Sequence, residues 1–190
     1  MKKILLLILF VSGVINAQET EFTFDNTKGM TDFVVTSVEG KTAPEIYKKV
    51  LDWIKITYKN PEKVILSTIE NEYIRFEGID NTFYSVGIMG KNYRDVKYQI
   101  EISVKNGKYK FDLISMDAYW QSSSRTSGGW SEVIIFNGNS TKESLEKSIY
   151  NKSGELRGYY KYLPEVVIYY NKLNKSLFDS INTSSKNNDW

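Results

Sequence analysis

The sequence predicts one α+β domain, a twisted antiparallel sheet with two main helices packed on one face. Three features predict this class: a long hairpin centred on Asn106-Gly107, an amphipathic helix that begins at Thr42, and several short segments rich in β-branched and aromatic residues. Alternation with a period of two indicates half-buried strands, and a period near 3.6 indicates a helix with one buried side. Strands gathered beside a few helices are typical of α+β domains.

The N-terminus is predicted to be a signal peptide, residues 1–17. Basic residues occupy positions 2 and 3, an apolar run covers 4–11, and Ala17 is the small residue before a cleavage site at Gln18. With Val14 and Ile15, which follow Ser12-Gly13, the apolar stretch has about 12 residues. This is shorter than the roughly 20 that a bilayer requires. We therefore expect an exported chain, periplasmic or secreted, without a transmembrane segment in its mature part. Because no cysteine follows the cut, it is not expected to be a lipoprotein.

The composition excludes several chemistries. The 190 residues include no cysteine and no histidine, which rules out disulfides, Cys- or His-ligated zinc, a cysteine nucleophile and every His-dependent triad. The chain has 25 basic and 23 acidic residues, and removal of the two lysines of the signal peptide would leave 23 of each. A neutral chain has no long-range field to attract polyanions. We expect no nucleic-acid partner, no cofactor and no metal site.

The first elements of the mature chain are short. Phe22 and Phe24 have strand spacing, a polar turn region covers 25–31, and a strand is expected over 33–38, ending at Gly40.

The helix that follows carries the clearest local signal. Thr42 and Glu45 have the spacing of a capping box, and Pro44 is tolerated in a first helical turn. Its apolar stripe consists of Ile46, Tyr47, Val50, Leu51, Ile54 and Tyr58. Asn60-Pro61 is expected to end it.

A meander is expected next, with strands over 64–69, 73–79, 83–89, 93–105 and 108–120. The Asn106-Gly107 turn suits a two-residue type I′ hairpin, in which both central residues have positive φ. It predicts three cross-strand pairs, which are Val104 with Tyr109, Ile102 with Phe111, and Ile100 with Leu113. One face of this hairpin is then apolar and the other is polar.

The C-terminal third has weaker patterns. A polar loop is expected over 121–129, a strand over 130–136, a turn over 137–140 and a short helix over 141–150. Residues 151–162 receive no assignment. A final helix opening at Pro164 is expected to bury Val167, Ile168, Leu173, Leu177 and Ile181. The domain is predicted to cover residues 18–182, followed by a disordered tail over 183–190.

Residues 43–116 resemble a bacterial exported family, a domain of unknown function with a TATA-binding-protein-like (TBP-like) fold. The matching segments are the helix 46–53, the strand 73–78 that ends in Gly78, and the hairpin 104–111 with its Lys-Tyr-Lys strand after a glycine turn. The resemblance implies a helix packed on a curved antiparallel sheet, with a second helix closing it. It implies no catalytic residue and no ligand.

The polar loop suggests a recognition edge. Trp120 and Trp130 flank it and Arg125 lies near its centre, and both residue types are enriched in binding hot spots. The alternative is that both tryptophans belong to the core. The loop lacks the Gly-x-Ser-x-Gly elbow of a hydrolase and the Gly-Lys-Ser/Thr ending of a phosphate-binding loop.

Two other candidate sites remain. Carboxylate pairs drawn from Asp32, Glu77, Asp112 and Asp117 would suit a glycosidase, and surface acids are the plain alternative. The tyrosine pairs 159–160 and 169–170 would suit sugar stacking, with half of them expected in the core. The first functional hypothesis is a non-enzymatic envelope protein that binds a protein or glycan. The second is a hydrolase acting on envelope glycans, and the third is a purely structural component.

Overall fold

The computed structural model describes residues 20–25, 29–87, 90–124, 127–133 and 149–183. Its elements in chain order are β1 (Phe24–Asp25), β2 (Gly29–Met30), β3 (Phe33–Ser37), α1 (Ala43–Thr57), α2 (Pro61–Val64), β4 (Ile65–Ile69), β5 (Tyr73–Gly87), β6 (Gly90–Lys105), β7 (Lys108–Trp120), β8 (Gly129–Glu132), a 3₁₀ turn (Gly158–Tyr160) and α3 (Leu163–Asn182). The predicted signal peptide, most of the predicted 141–150 helix and nearly all of the predicted tail lie outside the described residues.

The main sheet is antiparallel and six-stranded, in the order β4-β5-β6-β7-β3, and β8 also pairs with β7. β3 pairs with the first half of β7 and β8 with its last residues, so both lie along the same side of that strand. The helices cover one side of the sheet. The predicted α+β class is confirmed.

Helix α1 begins as the sequence predicts. The Thr42 hydroxyl accepts a hydrogen bond from the Glu45 backbone N–H, and the Glu45 carboxylate accepts one from the Thr42 N–H at 2.8 Å. The Thr42 backbone N–H and the Thr42 hydroxyl both donate to the Glu45 carboxylate, and these two bonds lower the pKa of that carboxyl. The side chain of Asn106 accepts a further bond from the Ala43 N–H, which joins the start of the helix to the hairpin turn.

Replacing Thr42 with alanine is expected to lower the free energy of unfolding by about 1 kcal/mol, because the first turn then loses a side-chain acceptor. Chemical denaturation measures the change. Lys48→Ala, on the exposed side of the same helix, is the matched control and should change stability by less than about 0.5 kcal/mol. Equal effects of the two substitutions would contradict a role for the cap.

The meander differs from the prediction at two places. Residues 73–79 and 83–89 were expected to be separate strands, but β5 runs unbroken from Tyr73 to Gly87, with a register shift between Asp80 and Phe83. The polar Asp80-Asn81 pair is a strand irregularity rather than a turn, since pairing with β6 continues on both sides of it. The expected strand from residue 64 begins one residue later, after the short helix α2.

The hairpin register is confirmed, but the expected type I′ turn is wrong, because Gly107 has a φ of 76° whereas the φ of Asn106 is not positive. Val104 pairs with Tyr109, Ile102 with Phe111, and Ile100 with Leu113. Beyond that point the register shifts, and Gln99 pairs with Ser115. β7 thus has one extra residue, Ile114, as in a β-bulge, and bulges increase the local twist of a sheet.

The core lies between the sheet and helices α1 and α3. It is built from the apolar sides of all three: Ile74, Phe76, Tyr98, Ile100, Ile102, Tyr109 and Phe111 from the sheet, Ile46, Val50 and Ile54 from α1, and Val166, Tyr170, Leu177 and Ile181 from α3. The predicted final helix is confirmed, with Leu177 and Ile181 buried as expected. Ile168 was expected in the core and is exposed instead, because the buried stripe of α3 passes through Val166 and Tyr170.

Four tyrosines form a cluster inside this core: Tyr58, Tyr98, Tyr169 and Tyr170. The Tyr169 hydroxyl donates to that of Tyr98 at 2.9 Å, and the Tyr58 and Tyr98 hydroxyls are 3.1 Å apart. The Tyr170 hydroxyl is buried without a hydrogen-bond partner in the described part of the chain. Burial, reinforced by the neighbouring phenols, raises the pKa of Tyr58, Tyr169 and Tyr170, and burial also raises that of Tyr98.

Two asparagines help to anchor α3. Asn174 is buried, and its side chain accepts from the Tyr109 hydroxyl at 2.8 Å and donates to the Thr36 hydroxyl at 3.2 Å. The Asn171 side chain exchanges two hydrogen bonds with the backbone of Phe22, at 2.7 and 2.9 Å. The N-terminal segment is therefore attached to the C-terminal helix.

Candidate functional site

The candidate site is the face of the sheet that points away from α1 and α3, here called the open face. Successive strand residues alternate between faces, so the neighbours of the buried positions lie on it. Its central positions carry mainly polar and charged residues: Tyr73, Arg75 and Glu77 from β5, Lys97, Gln99, Glu101 and Ser103 from β6, and Lys110, Asp112 and Asp117 from β7.

An ion-pair network occupies the middle of the open face. Arg75 and Glu101 are directly opposite each other on β5 and β6, and the Arg75 Nε donates to Glu101 Oε1 at 2.7 Å. The Tyr73 hydroxyl donates to the same oxygen at 2.7 Å. Partial burial acts to raise the pKa of the Glu101 carboxyl, but the hydrogen bonds from Tyr73 and Arg75 outweigh it and lower that pKa.

The carboxylates singled out in the sequence are placed separately. Glu77, Asp112 and Asp117 lie on the open face, whereas Asp32 precedes β3. Lys110 pairs with Asp112 at 2.6 Å, Lys97 lies 3.9 Å from Asp117, and Gln99 donates to Glu77 at 3.3 Å. Each of these three acids has a cation or a hydrogen-bond donor beside it.

An exposed aromatic pair ends the open face where β7 meets β8. Tyr119 and Trp130 are directly opposite each other, with ring centroids 5.4 Å apart and an interplanar angle of 68°. They remain 41% and 44% exposed. The Lys97 ammonium lies 5.2 Å from the Trp130 ring centroid. Asp117, which lies beside Lys97, is directly opposite Glu132 of β8 in the sheet.

The two tryptophans of the predicted recognition edge lie on opposite faces. Trp130 shares the open face with Tyr119, whereas Trp120 is the next residue of β7 and points to the helix side. There the Arg94 guanidinium lies 3.5 Å above the Trp120 ring centroid. Arg125 lies outside the described residues. The binding role of these residues stays a prediction, and the structure places only Trp130 on the open face.

The tyrosine pairs do not form an exposed platform in the described structure. Tyr170 is buried and Tyr169 is partly buried against the core. Tyr160 is partly buried beside Leu163, and the side chain of Tyr159 lies outside the described residues.

A hollow lies at the other end of the open face, beside the Asn106-Gly107 turn. Its volume is about 380 Å³. It is lined by Phe33, Val35, Ser103, Lys105, Lys108, Tyr109 and Lys110. The sequence interpretation missed this hollow, although the turn alone places Lys105 and Lys108 opposite each other. The sequence alone does not show that Phe33 lines the hollow, because β3 and its partner β7 are far apart in the chain.

Two further properties concern the residues that the structure describes. They contain no group of three or more acidic residues arranged to hold a metal ion. Neither α1 nor α3 combines the length and the hydropathy needed to cross a bilayer.

Comparisons identify the fold. Residues 33–117 match the family described as a domain of unknown function (DUF4468) with TBP-like fold. The chain is similar to the crystal structure of a DUF4468 family protein from Bacteroides ovatus, with 17% identity, a TM-score of 0.58, and 90% of this chain and 94% of that chain covered. It is also similar to a TBP-like protein from Parabacteroides distasonis, with 14% identity, a TM-score of 0.54, and coverage of 80% and 92%. No curated protein matches the chain.

Proposed function

We propose that this chain, whose residues 33–117 match the family described as a domain of unknown function (DUF4468) with TBP-like fold, is an exported, non-enzymatic binding module of the cell envelope. The open face would receive the partner, and the Tyr119–Trp130 pair is the observation that carries the proposal. Export rests on the predicted signal peptide of residues 1–17.

A glycan is the partner that this end of the open face suits best. Sugar rings have apolar faces that pack on aromatic rings, and hydroxyl groups that hydrogen-bond to charged side chains. Trp130 and Tyr119 supply the rings, and Lys97 and Asp117 supply a donor and an acceptor beside them. Protein partners also prefer exposed tryptophan and tyrosine, so a protein is the alternative occupant.

The acid–base alternative has less support. Glycoside hydrolysis needs one carboxylic acid that stays protonated and a second carboxylate nearby. Glu101 is held in its charged form by Arg75 and Tyr73, while Asp112 and Asp117 each lie beside a lysine. A carboxylate whose pKa is lowered, as that of Glu101 is, is a poor proton donor.

Substituting Trp130 with alanine is expected to weaken glycan binding tenfold or more, because the stacking surface is removed. Soluble peptidoglycan fragments and the oligosaccharide of lipopolysaccharide are the probes, titrated by calorimetry. Tyr119→Ala should weaken binding as well, whereas Trp130→Phe should retain part of the affinity.

Ile168→Ala is the matched control for this experiment. Ile168 has the same exposure as Trp130, 45% against 44%, but lies on α3. The immobilised wild-type chain is also used to capture proteins from the cell envelope. If the wild-type chain binds neither glycan but captures a protein that the Trp130→Ala chain does not capture, the partner is a protein and not a glycan. Recovery of neither would contradict the proposed function.

A further inference from the structure

We propose that the hollow beside the Asn106-Gly107 turn binds ligands in which a phosphate group is attached to an apolar body. This inference goes beyond the proposed function, because it uses none of the residues of the aromatic pair. It rests on unbalanced positive charge, on a half-exposed phenylalanine and on an open volume, all within one stretch of the open face.

The positive charge comes from two lysines without partners. Lys105 and Lys108 are directly opposite each other across the hairpin. Neither ammonium group has a hydrogen bond or an ion pair within the described residues. Lys110 also lines the hollow, but Asp112 balances it at 2.6 Å. The hollow therefore keeps two uncompensated cations.

This arrangement is unfavourable for folding alone. Like charges directly opposite each other in a sheet are destabilising, and the tight turn between these two lysines holds them in that position. A negative ligand group between them would remove the repulsion.

The chemistry of the cations favours phosphate over carboxylate. Ammonium groups act as point charges that suit phosphate, whereas planar carboxylates are matched by the two-pronged guanidinium of arginine. Among the described residues no arginine lines the hollow, and the Ser103 hydroxyl offers a further donor there.

The rest of the lining is apolar. Phe33 is 43% exposed, and Val35 lies two residues along the same strand. The Lys110 ammonium lies 5.0 Å from the centroid of the Phe33 ring, which helps to keep the ring in place. A ligand with an apolar body next to its phosphate would therefore contact both halves of the lining.

Calorimetry with phenyl phosphate and inorganic phosphate tests the site on the purified chain. Phenyl phosphate is expected to bind at least threefold more tightly, and Phe33→Ala should abolish this preference. Lys105→Ala with Lys108→Ala should weaken phenyl phosphate binding tenfold or more. Lys48→Ala with Lys55→Ala, which removes two exposed lysines from α1, is the matched control and should leave the affinity unchanged.

Vesicles distinguish the two sources of such a phosphate. Phosphatidylcholine vesicles with about one-fifth phosphatidic acid are compared with pure phosphatidylcholine in a sedimentation assay. Binding to the acidic vesicles alone supports a lipid headgroup, and binding to phenyl phosphate alone supports a soluble phosphomonoester. Binding to neither probe, or an equal loss in the α1 control, overturns the proposal.

A folding measurement separates a ligand site from a structural role. Lys105→Glu replaces a repulsion with a cross-strand ion pair, so Tm should rise by about 1–3 °C while phenyl phosphate binding is lost. A fall in Tm would assign the lysines to folding and overturn the proposal. Trp130→Ala should leave phenyl phosphate affinity unchanged, so the failure of one proposal can be told from the failure of the other.

Discussion

Raising the pH above about 10 is expected to unfold the protein cooperatively. Burial raises the pKa of Tyr58, Tyr98, Tyr109, Tyr169 and Tyr170 above the ordinary phenol value. Their stabilising effect is complete below pH 10 and falls as the pH rises, because the unfolded chain then loses phenolic protons that the folded chain retains. Each such group contributes a slope of about 1.4 kcal/mol per pH unit.

Summed over these tyrosines, the free energy of unfolding that is lost per pH unit is large compared with the total stability of a domain, which is about 5–15 kcal/mol. We therefore expect a midpoint between about pH 10 and 12. Circular dichroism and tyrosinate absorbance, recorded together, check this. Exposed tyrosines should ionise gradually. The buried tyrosines should ionise together, in one step that coincides with loss of the fold.

Two phenylalanine substitutions make this test specific. Tyr170→Phe removes a buried hydroxyl that has no hydrogen-bond partner among the described residues, so it should raise both stability and the alkaline midpoint. Tyr93→Phe, at a side chain that is 64% exposed, should leave the midpoint unchanged. Gradual ionisation of every tyrosine with the fold intact would show that the cluster is not buried.

Replacing Gly78 with alanine is expected to destabilise the protein by about 2–3 kcal/mol, a fall in Tm of roughly 5–10 °C. Gly78 is directly opposite Tyr98 in the sheet, and the Tyr98 ring lies over it. An alanine Cβ would overlap the Cζ and hydroxyl end of that ring. The ring is held by the hydroxyls of Tyr58 and Tyr169, so it cannot move aside freely.

Thermal and chemical denaturation of two further variants identify the cause. Gly158→Ala is the control, because a Cβ there meets no neighbouring atom within 4 Å. In a Tyr98→Leu background, where the clashing end of the ring is missing, Gly78→Ala should be almost neutral. If the cost is the same in both backgrounds, it comes from the strand backbone and not from the ring.

The sequence predicted the fold well where a local signal determines geometry. The Thr42–Glu45 capping box specifies where α1 begins, and the Asn106-Gly107 turn specifies the register of β6 and β7. Both depend on residues close together in the chain. The single strand β5 was missed because Asp80-Asn81 has the composition of a turn, and only pairing with β6 continues the strand through it.

The site was harder to predict, because it depends on contacts between distant segments. Trp120 and Trp130 flank one loop, but whether they share a face depends on the register between β7 and β8, which a loop of that length leaves open. Neighbouring residues on a helix point in different directions, so Tyr170 is buried and Tyr169 is only partly so. To predict that Arg75 pairs with Glu101 one must know the register between β5 and β6, which no local turn signal provides.

The attachment of Phe22 to Asn171 has a consequence for the nascent chain. The two residues are 149 positions apart, and β3 likewise meets its partner β7 only after the intervening helix and strands have been synthesised. Long loops must therefore close before these contacts form, which slows folding. A ribosome-bound fragment that stops short of α3 lacks Asn171 and therefore cannot form this contact or complete the core of the domain.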